Sequence, residues 1–141
     1  MIDVVLNKEE SIERCIKQVR LYYCRPSDKP FKDDYLKQDA IAANLLRAAD
    51  QFIDLANHVI RKRKLVLPKE SKESFEILAK AKVIPTELAG KLQDMVGLRN
   101  ILVYEYRTLD LDILVDVIEH RLDDLIDFSN LVMRYLQERA P

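Results

Sequence analysis

Ile41-Ala42-Ala43-Asn44-Leu45-Leu46-Arg47-Ala48-Ala49-Asp50-Gln51-Phe52-Ile53-Asp54-Leu55-Ala56-Asn57-His58-Val59 decides the fold class. Within it Ile41, Leu45, Ala48, Phe52, Leu55 and Val59 step by 4, 3, 4, 3 and 4 residues. That spacing puts all six on one side of a helix. Asp33 and Asp34 can cap its start, where carboxylates suit the helix dipole. The helix is expected to reach about Lys64, which makes it roughly 30 residues and 45 Å long. Such a length exceeds the needs of the core, so part of it is expected to serve an interface. Ala40, Ala42, Ala43, Ala48 and Ala49 let a neighbouring helix come close.

Upstream, Asn7 and Glu10 read as an N-cap and its partner. Ile12, Cys15, Ile16, Val19, Tyr22 and Tyr23 then carry a first helix to about Cys24, with Cys15 a small core residue. Pro26 and Pro30 break the chain before the long helix. Downstream, Leu65 to Pro68 is a connector and Ser71 caps a short helix with Phe75, Leu78 and Ala79 inward. Pro85 opens a fourth helix near its first position, where the missing N–H costs nothing. Leu88, Leu92, Met95, Leu98 or Arg99, Leu102 and Tyr106 continue one face of it. Asp110 caps a last helix running without interruption to about Glu138. The expectation is an all-α protein, an antiparallel helical bundle of four long helices plus one short one, in a single domain over 1–141.

Composition agrees. Two glycines in 141 residues, with 48% hydrophobic and 33% charged, suit helices better than strands joined by tight turns. The net charge of −1 excludes a whole-molecule attraction to nucleic acid, so any such contact needs a local patch. Two cysteines are too few for a disulfide framework or a zinc site. With no secretory leader and no apolar run of about 18 residues, a soluble cytoplasmic protein is the expectation.

Arg61-Lys62-Arg63-Lys64 reads first as cations at a helix C-terminus and second as a phosphate contact. His58 and His120 stand in no metal-ligand spacing, and no metal or cofactor is expected. Asp123, Asp124 and Asp127 read as a solvated face, and Tyr22-Tyr23 as packing. Arg99 is different, because it interrupts the stripe of Met95, Leu98 and Leu102. A charge there must be paired, exposed at an interface, or used. Tyr106, seven positions on, shares its face if the helix is regular; Tyr104, five on, lies about 140° away. Tyr104 then converges on Arg99 only if the helix frays or a second subunit closes over it. A structural salt bridge and a functional role fit Arg99 equally on these grounds.

Gly97-Leu98-Arg99-Asn100-Ile101-Leu102-Val103-Tyr104-Glu105-Tyr106 resembles the signature of HEPN-domain proteins, specifically HepT toxins. Their motif is Arg, Asn, three residues, His, any residue, Tyr. Gln38 to Ile41, Asn44-Leu45, Asp54 to His58, Ser74 to Leu78 and Asp110 to Asp112 fit the same family, so the likeness covers nearly the whole chain. The resemblance implies a helical, metal-independent ribonuclease toxin, with tRNA as a target class. It implies a homodimer whose two motifs line one cleft. It also implies a neighbouring MNT-type nucleotidyltransferase antitoxin, which silences the toxin by transferring AMP to the motif tyrosine.

By position, Arg99 matches the motif arginine, Asn100 the asparagine and Tyr106 the modified tyrosine. Tyr104 stands where the family has histidine. Imidazole suits proton transfer at neutral pH, whereas an ordinary phenol is roughly 0.1% ionised at pH 7. Loss of a general acid or base typically costs about 10²–10⁴ in rate. The expectation is therefore a ribonuclease scaffold impaired in this chain, through either a natural divergence or an inactivating His-to-Tyr change. Arg61, Lys62, Arg63, Lys64 and Arg107 are the further RNA-binding candidates. The alternative is a non-enzymatic helical adaptor or regulator that docks a nucleotidyltransferase, with Arg99 and Tyr106 as interface residues.

Overall fold

The computed structural model describes residues 2–138 and contains six α-helices. They are α1 (Ile2–Cys24), α2 (Tyr35–Lys62), α3 (Ser71–Lys80), α4 (Thr86–Tyr104), α5 (Leu111–His120) and α6 (Leu122–Glu138). Short 3₁₀ turns at Phe31–Asp33 and Tyr106–Thr108 precede α2 and follow α4. Among the described residues there is no strand, as the glycine-poor composition implies. α2 is the central post, packing against α1, α3, α4 and α6.

The seam on α2 is buried as its spacing requires: Ile41, Leu45, Ala48, Phe52, Leu55 and Val59 are all inaccessible or nearly so. Asp34 caps the helix, its carboxylate accepting from the Lys37 amide at 3.1 Å. Phe52 of α2, Phe75 of α3 and Phe128 of α6 meet with centroids 5.3, 5.6 and 6.2 Å apart and tilted or edge-on. These geometries suit the aromatic quadrupole and lock three helices together. Ser74 on α3 is fully buried and donates to Asn57 Oδ1 on α2 at 2.8 Å. Cys15 is a small core residue, as expected.

Five boundaries differ from expectation. α1 begins at Ile2, and Asn7 lies exposed inside it. Val5, seven residues before Ile12 and on its face, is fully buried, so packing draws the first turns into the helix. Ser71 is the first residue of α3 rather than its cap, and Pro85 sits at the N-cap of α4, one position before its first residue. The expected last helix is two, broken at Arg121 with no proline or glycine nearby. Arg121 there reaches Asp116 at 3.3 Å and Asp94 of α4 at 3.5 Å. Finally, α4 stops at Tyr104, which takes Tyr106 off the helix.

The aromatic cluster gives a stability test. Phe75→Ala removes the middle ring and is expected to cost about 3–5 kcal/mol in urea unfolding, while Ser71→Ala, at a position with no capping bond, is expected to cost less than about 0.5 kcal/mol.

Candidate functional site

Glu105 leaves helical geometry with φ −137° and ψ 32°. Its carbonyl then accepts from both the amide and the hydroxyl of Thr108, at 2.9 Å each. That tight turn redirects the chain toward the N-terminal part of α2. Tyr106 consequently lies off the helix that carries Arg99. Its phenol donates to Asp39 Oδ1 at 2.5 Å. Burial first, then this hydrogen bond and the charge of Asp39, push the Tyr106 pKa up to about 12.

Arg99 lies further along the same helix pair. Its Nε donates to Asp50 Oδ1 at 2.9 Å, and its Nη1 makes a longer contact of 3.4 Å with Asn100 Oδ1. The hydrogen bond to Asp50 and that residue's charge hold the guanidinium pKa above its usual range against the opposing effect of burial. The Tyr104 phenol adds to the same upward shift, so it lies close to the guanidinium while α4 is still helical. The expectation that Tyr104 needs a frayed helix or a second subunit to approach Arg99 is corrected accordingly. Arg99 is paired within its own chain, but it is not sealed: 29% of its side chain and 46% of Asp50 remain accessible. Tyr104 is 77% exposed.

Asp39 and Asp50 were missed as partners. They are separated by 67 and 49 residues from Tyr106 and Arg99, so no local pattern joins the pairs. One signal was present: eleven residues is about three turns, which sets both carboxylates on one face of α2.

The other candidates are placed elsewhere. Arg107 lines a cavity of about 360 Å³ beside Tyr106 and Asp39. Arg61 to Lys64 lie eleven to fourteen residues beyond Asp50, which is roughly 17–21 Å along the helix axis, so within one copy they do not join Arg99. Arg61 and Lys62 occupy the last turn of α2, and Arg63 stacks over the Tyr135 ring at 5.4 Å. Complementing the helix end is what this placement does. His58 is half-buried, and desolvation followed by the nearby cations Arg61 and Lys8 lowers its pKa.

The bundle and its arginine–phenol cluster together define a helical protein with one polar face built by α2 and α4. Residues 12–132 match the family described as Ribonuclease HepT-like, and the chain belongs to that family. It is 41% identical over 132 residues to the mRNA nuclease HepT of Shewanella oneidensis, covering 94% of this chain and 98% of that protein. Over 82 residues it is 37% identical to the tRNA nuclease HepT of Aphanizomenon flos-aquae, covering 55% of this chain and 56% of the other. A rebuilt structure of the tri-AMPylated S. oneidensis HEPN toxin in complex with MNT antitoxin superposes with a TM-score of 0.88 at 40% identity. That match covers 95% of this chain and 99% of the other. No helix among the described residues is long and apolar enough to cross a membrane.

Burial of Tyr106, together with its bond to Asp39, fixes a pH response. The folded-state pKa near 12 exceeds the ordinary phenol value of about 10. Its stabilising contribution is therefore complete below pH 10 and declines as pH climbs through 10 to 12. Ultraviolet absorbance titration is expected to lose a phenol ionising near 12 in Tyr106→Phe, whereas Tyr104→Phe retains it.

Proposed function

We propose that this chain is the ribonuclease toxin of a toxin–antitoxin pair, a single-domain, metal-independent RNA endonuclease whose partner silences it by AMPylating Tyr106. The observation that carries the reading is the position of Arg99: held by Asp50 through Nε, yet open to solvent beside Asn100 and Tyr104. The relatives' names and the AMPylated, MNT-bound toxin support it. Both mRNA and tRNA appear in those names, so RNA is the substrate class and tRNA the first one to test.

Cleavage through the ribose 2′-hydroxyl needs a proton acceptor, a donor for the leaving 5′-oxygen, and positive charge on the phosphorane. Arg99 supplies the charge, and its remaining N–H groups can bind phosphate oxygens as a charge-assisted pair. Asn100, touching Nη1, helps orient the fork. Tyr104 can donate a hydrogen bond but is a poor proton acceptor at neutral pH, the deficit that impairs this chain.

A second copy completes the cleft. Leu36, Ala43 and Arg47 form an exposed lane on α2, and Val103 and Tyr104 are exposed at the end of the adjoining α4. An apolar strip bordering Arg99 suits a two-fold contact that brings both arginines to one groove. Sedimentation at micromolar concentration is expected to give a dimer, with Val103→Glu shifting it to monomer.

The decisive assay incubates tRNA and mRNA with this chain, with Tyr104→His and with Tyr104→His/Arg99→Ala. Tyr104→His is expected to raise cleavage by about 10²–10⁴, and the added Arg99→Ala to abolish the gain. No gain in Tyr104→His would favour the alternative, a non-enzymatic adaptor in which the Arg99–Asp50 pair is structural and the face docks the nucleotidyltransferase.

A further inference from the structure

Two phenols compete to receive a nucleotidyl group, and exposure alone selects the wrong one. Tyr104 is 77% accessible and Tyr106 is half-buried. Their neighbours differ in a way that matters more. Tyr104 lies by a cation, Arg99. Tyr106 already donates its proton to a carboxylate, Asp39, at 2.5 Å. A neutral phenol is a weak nucleophile, and its oxygen gains full reactivity only as the proton departs. The base must stand within hydrogen-bond reach of that proton, and Asp39 does.

We infer that Asp39 is the general base that activates Tyr106 for nucleotidyl transfer, and that this pairing, rather than exposure, selects Tyr106 over Tyr104. The inference rests on the reading of Tyr106 as acceptor. In the step, Tyr106 Oη bonds to the α-phosphorus of a nucleoside triphosphate delivered by the nucleotidyltransferase. The bond from that phosphorus to the bridging oxygen breaks, pyrophosphate leaves with the electron pair, and the phenolic proton passes to Asp39 Oδ1. Free phenolate is scarce at neutral pH, because burial and the bond to Asp39 hold the proton on Tyr106. Transfer therefore needs its proton taken in the same step.

The charged groups facing the pair are Lys32 from the 3₁₀ turn before α2 and Arg107 from the turn after α4, with Tyr35, Gln38, Leu109 and Leu111 also in the cavity wall. Both cations favour the approach of an anionic triphosphate. After transfer Tyr106 has no proton to donate, and a phosphodiester anion stands where the hydroxyl met Asp39. The product thus loses its tie to α2.

The test follows AMP addition by peptide-mapped mass spectrometry, using the full chain, an MNT-type nucleotidyltransferase and ATP across pH 6.5–9.5 (a range spanning roughly neutral to near the phenol value). Asp39→Asn keeps an acceptor oxygen for the phenol but cannot take its proton. It is expected to slow addition at Tyr106 by about 10²–10⁴ at pH 7, with the deficit shrinking as pH rises. Asp39→Glu is expected to restore part of the rate, and Tyr106→Phe to receive no AMP at residue 104. An Asp39→Asn rate equal to that of the unmodified sequence at every pH would overturn the role of Asp39 while leaving Tyr106 as acceptor. Absence of AMP at Tyr106 in the unsubstituted chain would remove the acceptor reading itself.

Discussion

The polar face depends on one constraint: α4 and its following turn run antiparallel to α2, and two carboxylates on α2 catch that segment at two points. Asp50 takes Arg99 and Asp39 takes Tyr106. Eleven residues of α2 separate the carboxylates by about 16 Å. Had α4 continued, seven helical residues would have advanced Tyr106 only about 10 Å beyond Arg99. Ending the helix at Tyr104 turns the chain at Glu105 (φ −137°, ψ 32°) into a 3₁₀ turn, and the side chains of Tyr106 and Asp39 meet across what remains. The turn closed by Thr108 is thus what allows both bonds to form together.

The helical framework was legible because burial imposes a period on α2, α4 and α6 that no solvated segment would keep. What escaped the sequence were events decided by contacts between distant segments. Val5 joins α1 because the core has room for it, not because of any local cap. The break at Arg121 has no proline or glycine to announce it, and its partners Asp94 and Asp116 lie 27 and 5 residues away in the sequence. For the site, the residue types of Arg99, Asn100, Tyr104 and Tyr106 were readable, but the geometry assigned to them was not. A regular helix was assumed through Glu105, which grouped Tyr106 with Arg99 and left Tyr104 apart. The structure reverses that grouping.

The pairing of Arg99 with Asp50 bears on whether the face can still bind an anion. An exposed ion pair typically contributes only about 0.2–1 kcal/mol, and both partners here remain partly in solvent. Asp50 is therefore a weak competitor against a phosphate that meets several donors of a planar fork at once. It also contacts Nε, the donor nearest the aliphatic stem, so a phosphate can approach the outer edge without displacing it. On this geometry Asp50 orients the guanidinium more than it neutralises it.

Charge placement then sets how the proposed RNA substrate would be held. The chain carries a net charge of −1, and its densest cationic run is spent at the C-terminal end of α2, well away from Arg99. One copy accordingly offers few cations near the site, chiefly Arg99, the exposed Arg47 and, beyond Tyr106, Arg107 and Lys32. Electrostatic affinity for a polyanion grows with the number of phosphates neutralised, so a single face of this kind holds RNA weakly. In the proposed dimer, two copies meeting along the exposed lane of Leu36, Ala43 and Val103 would double the count over one groove. On the same reading, an AMP group on Tyr106 would add negative charge at the rim of that groove and reduce it again. Assembly and modification would thus act on the same small sum of local charge, so one phosphodiester would be enough to switch a face this sparsely basic.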